Sequence, residues 1–251
     1  MTAIALKTLG LNKNFGGLQV THDVTFELPV GARHALIGPN GAGKTTFINL
    51  LTGMLAPDSG VIELDGEAIT GLPAHERVKR GLARTFQINT LFPDLTPLEA
   101  VTLAACERHG ASRQWFPSLA HRKDVIEEAY DLLAGLGIGD QAHRPTRHLA
   151  YGHQRVLEIA LALATRPHVL LLDEPAAGVP AHESGILYEV ISGLPKEIAV
   201  LFIEHDMDLV FRFASHITVL VSGRVLRQGP PAQIAEDAEV RAVYLGTAAH
   251  A

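Results

Sequence analysis

The residues best suited to chemistry lie between Gly38 and Thr45, in the run Gly-Pro-Asn-Gly-Ala-Gly-Lys-Thr. This run fits G-x-x-x-x-G-K-[ST], the pattern of a phosphate-binding loop, or P-loop. Its glycines allow a tight turn in which successive backbone N–H groups point inward at an anion. We expect Lys44 to reach the β- and γ-phosphates of a nucleoside triphosphate and the Thr45 hydroxyl to ligate Mg²⁺.

The segments on either side of this loop are those that a P-loop requires. An apolar stretch over Ala35 to Ile37 predicts a strand before the loop, and the pattern over Phe47 to Leu51 predicts a helix after it. The start of that helix adds the positive end of its dipole. The predicted phosphate-binding residues are Gly38, Pro39, Asn40, Gly41, Ala42, Gly43, Lys44, Thr45 and Thr46.

Acidic and imidazole side chains follow two further apolar runs. Val169 to Leu172 indicates a strand buried on both faces, and Asp173 and Glu174 come directly after it. Ligands of open α/β sheets bind at the carboxyl ends of strands. We expect Asp173 to hold Mg²⁺ through water and Glu174 to polarise an attacking water. A second run over Ala199 to Ile203 brings His205 to the same edge, where the imidazole could contact a γ-phosphate, although most histidines at strand ends are structural.

The composition argues against several functional classes of protein. A chain of 251 residues that is 47% hydrophobic can bury one substantial core with a smaller lobe attached. The net charge of −6, without clustered Lys or Arg, argues against nucleic-acid binding, which needs a basic face. Cys106 is the only cysteine, so no intrachain disulfide forms. With no signal-peptide pattern and no apolar run long enough for a membrane span, we expect a cytosolic chain that reaches a membrane only through partners.

The segments around these motifs predict a strand-rich part interrupted by helices. Residues 4–30 indicate short strands around a turn at Gly16-Gly17, and Asp65-Gly66 is typical of a hairpin. Phe15 stands just before the first turn, where it could stack on a nucleobase, although a lone Phe is more often in a core. A strand over Leu82 to Phe86 leads to Gln87, a residue type that is ordinarily at the surface.

A shift in composition marks the middle of the chain. The run Thr96-Pro97-Leu98-Glu99 is a capping box, so a helix should extend from Pro97 to about Cys106. Residues 96–165 as a whole look mainly helical between strand-rich flanks. We therefore expect a helical subdomain over about 96–165, inserted into an α/β core formed by 1–95 and 166–251.

The order of these features resembles the ATPase subunits of ABC transporters over essentially the whole chain. The series comprises Phe15, the P-loop, Gln87, the segment Leu149 to His153 before an apolar helix, the Asp173-Glu174 pair and His205. Finer segments look like the branched-chain (hydrophobic) amino acid uptake class. They are Phe15 to Leu18, Leu82 to Gln87, Leu157 to Ala160, Asp173 to Gly178 and Val240 to Gly246.

The resemblance implies a fold, a reaction and a set of sites. The fold would be a single ABC ATPase domain over 1–251, a P-loop NTPase α/β core with an N-terminal antiparallel β part and the inserted helical subdomain. The reaction would be ATP hydrolysis, with Lys44, Glu174 and His205 as catalytic residues. Phe15 would stack on adenine, and Gln87 would sense Mg²⁺ together with Thr45 and Asp173. Each ATP would lie between the P-loop of one subunit and the segment Leu149, Ala150, Tyr151, Gly152 and His153 of the other.

The resemblance also implies partners and a location. The chain would pair head-to-tail with a second ATPase subunit, either a second copy or, as the family suggests, a paralogue, on the cytoplasmic face of the inner or plasma membrane. Two transmembrane permease subunits would bind the pair, and a solute-binding protein would act with them indirectly. The solute would be a branched-chain or other hydrophobic amino acid or a related small carboxylate, and no nucleic acid would be involved.

Three residues depart from the general ABC pattern. Ala150 stands where a Ser hydroxyl usually contacts the γ-phosphate, His153 where Gln is common, and Pro180 where Asp is common. The first resembles a variation tolerated within the uptake class. With a non-identical partner, the composite site that borrows Ala150 would lose a hydrogen bond to a charged group. We therefore expect the two sites of the pair to hydrolyse ATP unequally.

Of two alternative functions, one fits part of the sequence and the other does not. The chain length and the Tyr244-Leu245-Gly246 ending also resemble the ABC ATPase of a lipopolysaccharide-type export system. A non-transport ABC ATPase of repair or translation would need a long coiled coil after Gln87 or two cassettes in one chain, and the sequence has neither. The Phe15 to Leu18 and Leu82 to Gln87 segments favour the importer.

Overall fold

A computed structural model describes residues 3–85, 91–108, 122–179 and 181–248, without the side chains of 181–186 and 244–248. The chain divides into two compact units. The first comprises Met1–Arg84, His168–Glu174 and Leu194–Ala251, and the second comprises Thr85–Pro167 and Pro175–Gly193. The predicted helical segment 96–165 falls within the second unit, which also takes in the stretch after Glu174.

Strands and helices alternate along most of the chain. The strands are β1 (Ile4–Phe15), β2 (Leu18–Pro29), β3 (Arg33–Ile37), β4 (Ser59–Leu64), β5 (Glu67–Ala68), β6 (Leu82–Arg84), β7 (Val169–Asp173), β8 (Ala199–Ile203), β9 (His216–Val221) and β10 (Arg224–Gly229). The helices are α1 (Lys44–Thr52), α2 (Ala74–Lys79), α3 (Pro97–Arg108), α4 (Lys123–Gly135), α5 (Tyr151–Leu163), α6 (Ala181–Ser192), α7 (Met207–Phe213), α8 (Pro231–Glu236) and α9 (Ala238–Ala248).

The first unit contains an antiparallel sheet with the strand order β2-β1-β4-β5. Its β1–β2 hairpin closes at Gly16-Gly17, where Phe15 pairs with Leu18. The hairpin predicted at Asp65-Gly66 is confirmed, because Leu64 pairs with Glu67 across it. Both turn residues there have positive φ angles, 50° and 81°, as a two-residue hairpin turn requires.

The second sheet of this unit positions most of the predicted site residues. Its order is β10-β9-β3-β8-β7-β6, and every pair except β10–β9 is parallel. Strands β7 and β8 are buried along their whole length, as their uninterrupted apolar runs predict. Because β3, β8 and β7 are parallel neighbours, the P-loop, His205 and the Asp173-Glu174 pair all follow strand ends at the same edge.

A single hydrophobic core joins α1 to both sheets. Phe47 of α1 meets Phe26 of β2 edge-on, with the ring centroids 5.7 Å apart, and Leu36 and Leu201 belong to the same buried cluster. Burying a side chain of this size contributes about 1.5–3 kcal/mol. This packing fixes where α1 begins and so fixes the position of the P-loop.

The second unit contains helices α3 to α6. Its capping box is confirmed, since Glu99 accepts the Thr96 backbone N–H at 2.8 Å and the Thr96 hydroxyl accepts the Glu99 N–H at 3.3 Å. Helices α6 and α7 were not predicted from the sequence. Within the described ranges, no helix is both long enough and apolar enough to cross a membrane.

Candidate nucleotide-binding site

The P-loop approaches neighbouring backbone so closely that two of its positions require glycine. A Cβ on Gly38 would lie 2.1 Å from the Leu220 carbonyl oxygen, and a Cβ on Gly43 would lie 2.7 Å from the Val20 carbonyl oxygen. Gly43 also has a φ of 98°, which L side chains rarely adopt. The loop can therefore curl against β2 and β9 only with glycine at these positions.

Helix α1 begins at this loop with its N–H groups uncapped. The N-cap residue is Gly43, no side chain caps the helix, and the first turn contains no acidic residue. A helix start leaves N–H groups without intrahelical partners and carries the positive end of the dipole. These groups are the natural binding site for a phosphate anion.

Lys44 lies beneath the loop and is nearly buried, with 7% of its surface exposed. Its Nζ donates hydrogen bonds to the carbonyl oxygens of Gly38 at 2.6 Å and Pro39 at 3.1 Å. Burial lowers the pKa of Lys44, and the charges of Glu174 and Asp173 oppose that shift.

Glu174 and His205 meet at the same edge. The Nε2 of His205 lies 2.8 Å from Oε1 of Glu174, and the backbone N–H of Glu174 donates to the Ile203 carbonyl at 3.1 Å. Glu174 has a φ of 50°, a left-handed conformation that is strained for a residue with a Cβ. Strain of this kind is found mostly at functional sites, where the surrounding structure enforces it.

A cavity of about 230 Å³ opens between these groups. The lining residues are Val20, Asn40, Gly41, Ala42, Gly43, Lys44, Thr45, Thr46, Glu174 and His205. The structure therefore brings the predicted P-loop residues from Asn40 to Thr46 together with the predicted acid and imidazole. Val20 was not predicted as a site residue, because an apolar residue in a strand carries no signal of a binding site. Its position depends on the β1–β2 hairpin, whose register is irregular.

Asp173 is buried beside this cavity and forms an ion pair that was also missed. Its Oδ2 accepts a hydrogen bond from Nη2 of Arg84 at 2.8 Å, and Nη1 of Arg84 donates to Oδ1 of Asn49 at 2.6 Å. Only 4% of the Asp173 side chain is exposed. Arg84 and Asp173 are far apart in sequence, so only the pairing of β6 with β7 brings them together.

In the second unit, the segment Leu149 to His153 forms the start of α5. Ala150 is the N-cap, and no side chain caps the helix, so its first N–H groups are available to an anion. The Tyr151 hydroxyl donates to the Ala177 carbonyl at 3.1 Å and accepts from Nη2 of Arg155 at 2.6 Å. Tyr151 thus ties this segment to the loop that follows Glu174.

The comparison with protein families decides what this arrangement is. The family model described as ABC transporter matches residues 21–177, more than half of the chain. The chain belongs to the ABC transporter family. It is an ATP-binding ATPase of that family, with the P-loop NTPase fold.

Relatives of this ABC ATPase match it from end to end. The chain is 41% identical to the high-affinity branched-chain amino acid transport ATP-binding protein BraF of Pseudomonas aeruginosa, over 99% of this chain and 100% of BraF. It is 38% identical to LivG of Escherichia coli K12, which carries the same description, again over 99% and 100%. A crystal structure of the ADP conformation of MJ1267, an ATP-binding cassette of an ABC transporter, superposes with a TM-score of 0.86 at 28% identity, over 98% of this chain and 100% of MJ1267.

The cavity does not test the remaining site predictions for this ABC ATPase. Phe15 ends β1 with 48% of its surface exposed, beside Lys13, whose Nζ lies 5.8 Å from the ring centroid. Phe15 does not line the cavity, so its stacking on adenine stays a prediction. Gln87 and Pro180 lie outside the described residues. The roles assigned to individual site residues also stay predictions.

Proposed function

We propose that this ABC ATPase couples ATP hydrolysis to the import of branched-chain or other hydrophobic amino acids, or of related small carboxylates. The observation that carries the proposal is the end-to-end similarity to two branched-chain amino acid transport ATP-binding proteins. The relatives do not favour lipopolysaccharide export or a non-transport role. Their substrate class supports the proposal because energy-coupling subunits are built for a particular set of permeases.

In the proposed mechanism, the P-loop holds the triphosphate and the strand edge supplies the base. The uncapped N–H groups of α1 and the ammonium of Lys44 stabilise the negative charge that develops on the phosphoryl group. Glu174 orients a water for in-line attack on the γ-phosphorus and takes up its proton as the bond to the β-phosphate breaks. His205 contacts Glu174 directly and is thus positioned to act on the same water or on the γ-phosphate.

The oxygen donors near the cavity fit Mg²⁺. Thr45 lines the cavity, and Asp173 directly precedes Glu174, which also lines it. Hydroxyl and carboxylate oxygens are the ligands that Mg²⁺ prefers, and in nucleotide sites it is held by few protein groups plus phosphates. We assign Thr45, Asp173 and Gln87 to this ion. When bound, Mg²⁺ neutralises charge on the phosphate oxygens.

The functional assembly in this proposal is a head-to-tail pair of ATPase subunits. The uncapped start of α5, from Leu149 to His153, faces the γ-phosphate held by the partner's P-loop and completes that site. The whole chain, 1–251, acts as one ABC ATPase domain in which the helical part serves this second role. Two permease subunits hold the pair peripherally at the cytoplasmic face of the membrane, and a solute-binding protein delivers the solute.

The test is ATP turnover by the assembled transporter. The chain is reconstituted in liposomes with its partner ATPase and permease subunits, and phosphate release is measured with the cognate binding protein and a panel of solutes. Leucine, isoleucine or valine should stimulate turnover, and a Glu174→Gln variant should abolish the stimulation. Stimulation by sugars alone, or by no amino acid or small carboxylate in the panel, would contradict the proposal.

A further inference from the structure

The buried carboxylate of Asp173 forms an ion pair with the Arg84 side chain. The Arg84 guanidinium lies 2.8 Å from Oδ2 of Asp173, and the two side chains are only 12% and 4% exposed. A buried carboxylate is costly to keep ionised unless a positive charge and hydrogen bonds compensate it. Arg84 supplies both a positive charge and a hydrogen bond to Asp173.

The guanidinium also joins two neighbouring strand ends to the helix that follows the P-loop. Arg84 ends β6, Asp173 ends the neighbouring β7, and Asn49 lies on α1, the helix that follows the P-loop. Nη1 of Arg84 donates to the Asn49 side chain at 2.6 Å while Nη2 donates to Asp173. The planar guanidinium presents its two donors at a fixed separation, a geometry that the compact ammonium of lysine does not reproduce.

This bridge restricts how the Asp173 carboxylate can turn. A hydrogen bond from a side chain that is itself anchored to Asn49 fixes the carboxylate plane about its Cβ–Cγ bond. Outer residues that orient a metal ligand in this way commonly change metal affinity 10–100-fold when they are mutated.

We propose that Arg84 is a positioning residue that orients the Asp173 carboxylate toward Mg²⁺ through its bridge to Asn49. This inference rests on the proposed function, in which Asp173 and Thr45 hold the ion. Arg84 touches neither the nucleotide nor the reacting atoms in this scheme. Its removal should weaken the metal's contribution to nucleotide binding and spare the contribution of the P-loop.

The experiment measures binding without turnover. The full-length chain is titrated with fluorescent methylanthraniloyl-ADP, first in EDTA and then at increasing MgCl₂, and the half-saturating Mg²⁺ concentration is recorded. For Arg84→Gln, we expect the affinity in EDTA to stay within about twofold of the wild type while the half-saturating Mg²⁺ rises about tenfold. For Arg84→Lys and Asn49→Ala, which each remove one part of the bridge, a smaller rise is expected.

Controls separate this effect from lost stability. Arg108→Gln breaks another arginine–carboxylate pair, in which Nη2 of Arg108 lies 2.8 Å from Oε2 of Glu128 in the second unit. It should lower the melting temperature without changing the half-saturating Mg²⁺. If Arg84→Gln does not fold, Arg84→Lys and Asn49→Ala carry the test.

The possible outcomes distinguish the two proposals. If the wild type binds ADP no better with Mg²⁺ than in EDTA, the proposed metal site itself is wrong. If the wild type responds to Mg²⁺ and the folded Arg84 and Asn49 variants need the same Mg²⁺ concentration or less, the positioning role is overturned. A rise confined to the Arg84 and Asn49 variants supports it.

Discussion

A buried cationic side chain lies at each end of helix α1, but only the one at the first turn lies against a cavity. At the first turn, Lys44 lies against a cavity, and the helix N–H groups around it have no side-chain cap. At the last turn, the Arg77 guanidinium is 1% exposed and donates to the carbonyls of Leu50 and Leu51 at 2.7 Å each. Burial lowers the pKa of both side chains.

The difference lies in which backbone groups are already satisfied. Arg77 also donates to the carbonyls of Thr70 and Leu72, so the negative end of the helix dipole is permanently compensated. At the positive end, the N–H groups of the helix start are left for a ligand. One end of the helix is therefore built for stability and the other for binding, and mutations at the two ends should separate these properties.

The largest expected effect is on stability, at the closed end. Arg77→Met removes a donor from the carbonyls of Leu50, Leu51, Thr70 and Leu72, of which Leu50 still accepts the Gly53 N–H at 3.3 Å. Each unsatisfied buried acceptor costs about 1–3 kcal/mol, so we expect the free energy of unfolding to fall by about 4 kcal/mol. Urea denaturation measures the loss.

The matched control for this change is Arg80→Met. Arg80 is an exposed arginine close in sequence whose partner is Glu67 at the surface. Removing an exposed ion pair changes stability by about 0–1 kcal/mol. A loss at Arg77 no larger than that at Arg80 would contradict the role of Arg77 in closing the helix end.

The next effect is on catalysis, at the open end. Lys44→Met removes the ammonium that stabilises charge on the transferred phosphoryl group, so ATP turnover at the site that contains this P-loop should fall by at least about 100-fold, or about 2.7 kcal/mol. Stability should change little, because the nearly buried ammonium is itself costly to desolvate. Phosphate release and urea denaturation are measured on the same preparations, with the exposed Lys79→Met as control. A large loss of stability with Lys44→Met would remove the contrast between the helix ends.

A smaller effect concerns the second uncapped helix start, that of α5. If the partner is a paralogue with a Ser at the position of Ala150, the site that uses α5 of this chain lacks a hydrogen bond to the γ-phosphate worth about 1.5–3 kcal/mol. Most turnover would then come from the site that contains Glu174 of this chain. Glu174→Gln should therefore reduce total turnover about tenfold or more, and the equivalent change in the partner should reduce it about twofold or less. Equal losses would argue against unequal sites.

The contrast between the helix ends also separates what the sequence could predict from what it could not. The P-loop and the buried strand β7 follow from local patterns, since glycine spacing and an apolar run carry their own signals. Arg77 and Arg84 gave no such signal, because their acceptors lie on elements distant in sequence. Helix α7 could have been predicted: its N-cap Asp206 accepts the N–H groups of Asp208 and Leu209, a cap that the sequence displays.

The last effect depends on pH and concerns a buried histidine, His34. His34 of β3 lies between Phe26 and His216, with Nε2 2.7 Å from the Thr218 hydroxyl. Burial, and the nearby His216, lower the pKa of His34 from 6.5 to about 3. Lys44 and Arg77 face carbonyls that tolerate a cation, whereas the bond that His34 makes is to a hydroxyl.

The consequence for stability depends on which state binds the proton. Between about pH 6.5 and pH 3, the unfolded chain protonates His34 and the folded chain does not, so stability falls as the pH falls through this range. This residue alone should contribute a slope approaching 1.4 kcal/mol per pH unit near pH 5. Urea denaturation at several pH values should show a shallower dependence in His34→Gln than in the wild type. His75→Gln, which removes an exposed imidazole, controls for the loss of a histidine as such, and equal slopes in the wild type and His34→Gln would show that His34 accepts a proton inside the folded protein.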